Sequence, residues 1–153
     1  DFCLCVEDQG NLVACMLCTV PLPNVLYIGG TLVLPVYQGM GIKAQGTRYI
    51  LNDRPDLTWF AGRTQSSIVW SSVHSIAQEM LPHPNKQGVS PQTSERLQAL
   101  VQALGMTSPI QSGFYGGALY GRKPVNQNLE VQAWWDTLCD FDRGDAVVYI
   151  ARL

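Results

Sequence analysis

The hydrophobic pattern begins with two β-leaning apolar stretches, FCLCV at 2–6 and LVACMLCTV at 12–20, separated by EDQGN. The Asp, Gly and Asn of that separator suit a turn with positive φ, so a hairpin is predicted. Pro21 and Pro23 then break the run, and VLYIGGTLV (25–33) follows as a third strand. Within it Gly29 and Gly30 predict a bulge or a close backbone approach, and Pro35 ends it. The period then changes. Ile42, Gln45, Tyr49 and Ile50 fall at helical spacing and predict a short helix from Ile42 to about Asn52, closed by Asp53-Arg54-Pro55.

LTWFAGR (57–63) reads as a buried strand, and 64–81 carries Ile68, Val69, Val73, Ile76, Ala77 and Met80 at helical spacing. Strand and helix in alternation need a crossover, which predicts a parallel strand pair. Residues 82–88 read as a loop, and Ser90-Pro91 as the start of a helix that ends near Leu104, with Gly105 as its stop. Residues 106–128 are rich in Gly, Ser, Pro and Asn and contain one aromatic stretch, SGFYGGALYG. Asn128 then caps a helix carrying Leu129, Trp134, Trp135 and Leu138; DRGD turns the chain, and AVVYIARL closes it as a strand.

At 153 residues the chain has the size of one domain, and 46% hydrophobic against 14% charged residues predicts a well-filled interior. Ten basic and twelve acidic residues give a net charge of -2 with no basic cluster, which argues against a nucleic-acid partner. No apolar run approaches the roughly 18–20 residues of a membrane span, so no membrane association is expected. Five cysteines, an odd number, favour a reducing compartment, and a cytoplasmic location is expected.

Candidate chemistry centres on LVLPVYQGMGIKAQ (32–45), where a strand, a glycine-bearing turn and a helix start are compressed together. Such a turn leaves backbone N–H groups unpaired at the helix start, and glycines let a bulky anion approach the main chain. The stretch suits a phosphate. It is neither the G-x-G-x-x-G of dinucleotide-binding folds nor a P-loop, because its glycines stand two apart and no Lys-Ser/Thr pair opens the helix. The plain alternative is a tight strand-to-helix turn without a ligand.

Val33-Leu34-Pro35 followed by Gln38-Gly39-Met40-Gly41-Ile42-Lys43 resembles the acetyl-CoA motif of the GNAT N-acetyltransferase superfamily. The family's strand ends V-x-P and leads into [RQ]-x-x-G-x-[GA] at a helix start. Lys43 departs from that pattern, standing where a small residue is usual. Thr64-Gln65-Ser66-Ser67 is similar to the family's next helix start, without its common Asn. The resemblance covers roughly 2–81 and 110–153. It implies an α/β fold: a mixed, mostly antiparallel central sheet flanked by helices, with strands 25–33 and 57–63 splayed around the cofactor.

By the same resemblance the cofactor is acetyl-CoA as co-substrate, with no metal. Val33 and Leu34 would pair with the pantetheine amides, Gln38, Gly39, Met40, Gly41, Ile42 and Lys43 would surround the diphosphate, and Ser67 would contribute from the next helix. The backbone N–H of Leu34 would polarise the thioester carbonyl. A single domain over 1–153 is implied, beginning at the hairpin that follows the family's first strand and two helices.

Many family members carry a Glu on the strand before the motif and a Tyr on the later helix. VLYIGGTLV has no carboxylate, and 66–80 has no Tyr. His74 falls near the place of that Tyr, and an ordinary histidine pKa near 6.5 suits proton transfer; the alternative is a partly exposed helix residue without a role. Tyr115 and Tyr120 are further candidates for the acid or for lining an acceptor pocket, with aromatic packing as the alternative. Cys3-x-Cys5 and Cys15-x-x-Cys18 suggest zinc, but Cys15 and Cys18 would point to opposite faces of a strand, so small buried hydrophobes is the better account.

The expected function is transfer of an acetyl group from acetyl-CoA to a primary amine of a small molecule or peptide, by direct attack in a ternary complex. A CoA-binding module without catalysis, or a domain with neither ligand nor reaction, are the alternatives. The partner expected is the amine acceptor, with a homodimer left open.

Overall fold

The computed structural model describes residues 1–85 and 89–153, so the last three residues of the loop expected at 82–88 lie outside the described residues. The fold is α/β, with mostly antiparallel strand pairs and a parallel pair among them. By their contacts the residues form two compact units, Asp1–Gly62 and Arg63–Leu153. No helix among the described residues is long and apolar enough to cross a membrane.

In the first unit β1 (Phe2–Asp8) and β2 (Asn11–Leu22) form the predicted hairpin, closed by Gln9 and Gly10 at φ 49° and 81°. Glycine takes the left-handed conformation as expected, whereas the other such position is Gln9, not Asp8 or Asn11. β2 runs through Pro21, which was expected to break it. The register with β3 (Val25–Val33) shifts between Thr19 and Leu22, so Pro21 sits at an irregularity where no ladder donor is required of it. A second shift pairs Leu17 with Gly30 and Cys18 with Ile28, which leaves Gly29 as the bulged residue.

After a 3-10 turn at Pro35–Tyr37, α1 spans Ile42–Asp53. Its inner stripe is Gly46, Thr47 and Ile50, whereas Gln45 and Tyr49 are exposed. The stripe inferred from apolar spacing was therefore turned too far. The reason is a close approach: a Cβ on Gly46 would stand 2.5 Å from Met16 Sδ and 3.0 Å from Leu4 Cδ2. β4 (Trp59–Thr64) then pairs in parallel with β3, Val25 to Trp59 through Ile28 to Gly62. This is the predicted parallel pair.

The second unit is built on β7 (Ala146–Arg152), buried from Ala146 to Ala151, with β5 (Glu79–Leu81) and β6 (Ile110–Gln111) antiparallel to it. α2 covers only Ser67–His74, so the helix expected over 64–81 is cut short. Residues 79–81 are taken into the sheet, and Gln78 N–H donates to Arg152 O at 2.9 Å. Pro82 also disfavours a helical Leu81. Tertiary pairing overrides the helical spacing of Ile76 and Met80 there.

α3 (Pro91–Ala103) starts as read, with Ser90 Oγ accepting from Thr93 N–H at 3.3 Å, and Gly105 follows its end at φ 69°. α4 (Leu129–Leu138) is capped by Asn128, whose Oδ1 accepts from Glu130 and Val131 N–H at 3.0 and 3.1 Å. Each cap satisfies helix-start donors that would otherwise lack partners.

Candidate functional site

The parallel ladder stops at Ile28, one residue before the bulge at Gly29, while β3 continues to Val33. Among the described residues no strand pairs with β3 on that side beyond Ile28. What this edge offers follows from its register with β2. Ala14 stands opposite Val33, and Leu34 N–H donates to Val13 O at 2.9 Å. This makes Val33 and Ala14 a non-hydrogen-bonded pair, so Val33 turns its own N–H and C=O away from β2, toward the free edge.

The N–H of Leu34, expected to polarise a thioester, is engaged by the Val13 carbonyl, and the donor that faces outward at this point is that of Val33. Gln38 bears on the same residue: its Nε2 donates to Val33 O at 3.1 Å, folding the turn back onto the strand end. Tyr37 Oη donates to Asp8 Oδ2 at 2.7 Å and ties the turn to the hairpin. Thr31 Oγ1, two residues back along β3, is buried without a hydrogen-bond partner among the described residues.

Gly39 and Gly41 adopt φ of 81° and 75°, a conformation that disfavours any residue with a Cβ. Gly41 is the N-cap of α1 and supplies no capping side chain. The first helical bond runs from Gln45 N–H to Gly41 O at 3.0 Å, so the N–H groups of Ile42, Lys43 and Ala44 have no partner within the helix. The turn before them is uncrowded: among the described residues, a Cβ on Gly39 would meet nothing within 4 Å beyond its chain neighbours. Lys43 is half-buried, and burial draws its ammonium below the ordinary lysine range. Among the described residues no carboxylate pairs with it. Leu34, Val36 and Met40 are exposed, giving the turn an apolar margin beside its polar N–H groups.

Ser67 and the three acid candidates lie in the second unit. Ser67 is buried, and its hydroxyl donates to Gln132 Oε1 at 2.8 Å, so the side chain is already engaged inside the protein. His74 is exposed at the end of α2, stacked on Trp70 at 4.8 Å, with its Nε2 3.1 Å from His83 Nε2. Partial burial and the neighbouring His83 lower its pKa. Tyr115 is half-buried, edge-on to Phe114, whose ring carries the Arg63 guanidinium at 3.9 Å. Tyr120 is exposed. His74 and the tyrosines thus belong to different clusters of the second unit. An apolar groove of about 940 Å³ also lies there, lined among others by Leu81, His83, Leu97, Val101, Met106 and Trp134.

Two residues have large positional effects that the sequence reading does not assign to them. Gln65 is buried; its Nε2 donates to Gly117 O and Phe141 O, each at 3.3 Å, and its Oε1 accepts from Leu119 N–H at 2.8 Å. Asp145, fully buried, accepts from Gly113 N–H at 2.9 Å and from Asp140 N–H at 3.0 Å. The Arg143 guanidinium bonded to it, aided by those amides, holds its carboxyl well below the usual carboxylate range. Together they fix the aromatic loop that bears Tyr115 and Tyr120. A buried Gln and the last Asp of a turn carry no local signal of such a role.

No family model and no curated protein matches the chain. Among the solved structures similar to it are three, each at 12% identity over 99% of this chain. They are the ribosomal-protein-S18-alanine N-acetyltransferase from Escherichia coli (TM-score 0.46, 68% of that chain), the IAA acetyltransferase from Bacillus cereus ATCC 14579 (0.48, 77%) and a GNAT family acetyltransferase from Elizabethkingia anophelis with acetyl-CoA bound (0.47, 75%). All three are acetyltransferases. At this level of likeness, function has to be carried by the chain's own residues.

Proposed function

We propose that the chain is an acetyl-CoA-dependent N-acyltransferase that acetylates a primary amine of a small molecule or peptide. The observation that carries this reading is the uncapped start of α1, built on two left-handed glycines directly after a strand whose Val33 N–H faces a free edge. The N–H groups of residues 42–44 suit the diphosphate, the exposed apolar margin suits the pantetheine arm, and the outward Val33 N–H suits the thioester carbonyl. A neutral amine attacks the carbonyl carbon, the C–S bond breaks, and the amine proton and the thiolate's proton pass through water or an acid side chain. The reading is tested by calorimetric titration with acetyl-CoA, followed by measurement of thiol release with a panel of amines. Binding without thiol release from any amine leaves only a CoA-binding module; no binding removes both.

Lys43 gives a sharper test. Lys43 is half-buried in the first turn of α1 and pairs with no carboxylate among the described residues, so a phosphate is a natural counter-ion for it. Lys43→Ala is expected to weaken CoA binding about tenfold and to flatten its dependence on salt. Tighter binding by the alanine variant would mean that the side chain obstructs the turn.

For the proton donor, His74→Ala, Tyr115→Phe and Tyr120→Phe are to be made singly, with turnover and acetyl-CoA affinity measured separately. Loss of the true acid should lower turnover by about 10²- to 10⁴-fold at little change in affinity. His74 would be recognised by its pH profile. Because its pKa is lowered, its protonated form, and with it the turnover, should already decline below the ordinary histidine value as pH rises. If all three variants keep turnover within about threefold, none of them is the acid.

A further inference from the structure

Of the four hairpin cysteines only Cys18 is the buried hydrophobe expected of it. Cys3 and Cys5 are exposed and Cys15 is half-buried, whereas Cys18 and Cys139 are buried. On adjacent strands the register sets Cys5 opposite Cys15 and Cys3 opposite Leu17, so Cys3 and Cys15 form a diagonal pair. Their sulfurs stand 3.0 Å apart, closer than Cys3 and Cys5 at 3.8 Å. Three thiols on one solvent-facing patch are more than packing requires, and nothing in the acyl-transfer reading uses them.

We propose that Cys3 and Cys15 are a reversible redox pair that closes to a disulfide across the β1–β2 hairpin, with a low-molecular-weight disulfide such as glutathione disulfide as oxidant. The sulfurs have to approach by only about 1 Å to reach bonding distance. The alternative within one strand, Cys3 with Cys5, has its sulfurs farther apart at 3.8 Å, and Cys5, directly opposite Cys15 in the register, is the competing partner that peptide mapping distinguishes. Cys18 and Cys139 are poor competitors, since burial pushes both thiols up to about 11.

The reaction runs as thiol–disulfide exchange. The exposed Cys3 thiolate attacks one sulfur of the oxidant, forming a mixed disulfide and releasing one glutathione thiolate. The Cys15 thiolate then attacks the Cys3 sulfur, forming the intramolecular bond and releasing the second. The two protons lost by the protein reside on the two glutathione thiols, and the oxidant has gained two electrons. The hydrogen bond with Cys15 raises the Cys3 pKa, so closure should accelerate as pH rises toward the ordinary thiol range and beyond.

The test is to equilibrate the folded chain in glutathione redox buffers, trap free thiols by alkylation, and map the peptides by mass spectrometry. Two of the five thiols should be lost, the mass should fall by two hydrogens, and the linked peptides should be those of Cys3 and Cys15. A reductant should reverse the change, Cys5→Ser should leave it intact, and Cys3→Ser should abolish it. The wild-type thiol count decides the matter whether or not a variant folds. Five reactive thiols in oxidising buffer, stable glutathione adducts in place of the cross-link, or a linkage that includes Cys5, Cys18 or Cys139 would each overturn the assignment.

Discussion

Gly144→Ala should lower the stability of the protein by about 2–5 kcal/mol, read as a fall in the denaturant midpoint. Two costs add. Gly144 has φ 84°, a conformation that costs a residue with a Cβ roughly 1–2 kcal/mol. The new Cβ would also stand 2.3 Å from Gly117 N, 2.8 Å from Gly117 O and 2.9 Å from Gly116 N. All three are backbone atoms, which cannot swing aside as the end of a long side chain can.

Nor can the aromatic loop simply retreat. Tyr115 N–H donates to Gly144 O at 2.8 Å, Gly113 N–H to Asp145, and Gln65 holds both Gly117 and Leu119. Moving the loop away from Gly144 therefore breaks bonds that involve the buried Gln65 and Asp145. Gly105→Ala is the control, because it shares the left-handed backbone at φ 69° but meets nothing within 4 Å. It should lose only the conformational cost. Equal losses for the two variants would mean that the close approach at Gly144 carries no energy.

That loop marks where the sequence stops being informative. The DRGD turn is legible from local preferences, and so are the Ser90 and Asn128 caps, Gly105 and the Gln9-Gly10 hairpin, because each is decided by a few consecutive residues. The burial of Asp145 and the bonds of Gln65 are decided by segments tens of residues away. The same holds for residues 79–81, which continue a helical apolar spacing but whose conformation is set by pairing with Arg152, Ala151 and Ile150. For α1 the inner face was misjudged because a glycine, not an apolar side chain, makes its closest contact.

The candidate site divides in the same way. Strand, glycines and helix start could be read from residues 33–43, and their left-handed conformations at Gly39 and Gly41 agree with that reading. Which amide faces the free edge could not, since it depends on the β2 register, and this moved the outward donor from Leu34 to Val33. For the acid, sequence provided only residue types at plausible places. His74 turned out to stack on Trp70 beside His83, and the two tyrosines to sit on a loop pinned by Gln65 and Asp145.

Gly41→Val should leave the protein folded and reduce its affinity for CoA by well over tenfold, more than 1.4 kcal/mol of binding free energy. Among the described residues beyond its chain neighbours, the one atom within 4 Å of the added Cβ is Gln45 Nε2 at 3.8 Å, an ordinary van der Waals contact. The cost to folding is therefore the left-handed backbone alone, roughly 1–2 kcal/mol, or a local rearrangement of the turn. Binding is hit harder. Gly41 sets the direction of the N–H groups at residues 42–44, and the space a valine fills lies at the uncapped helix start, where the diphosphate is proposed to sit. Gly10→Val provides the control, with the same strain at φ 81° but in the hairpin turn; it should lower stability and leave CoA affinity alone. Pantetheine, which has no diphosphate, provides the second comparison, and its weaker binding should barely distinguish Gly41→Val from the wild type. A folded Gly41→Val chain that binds CoA as tightly as the wild type would remove the turn at 39–43 from the site.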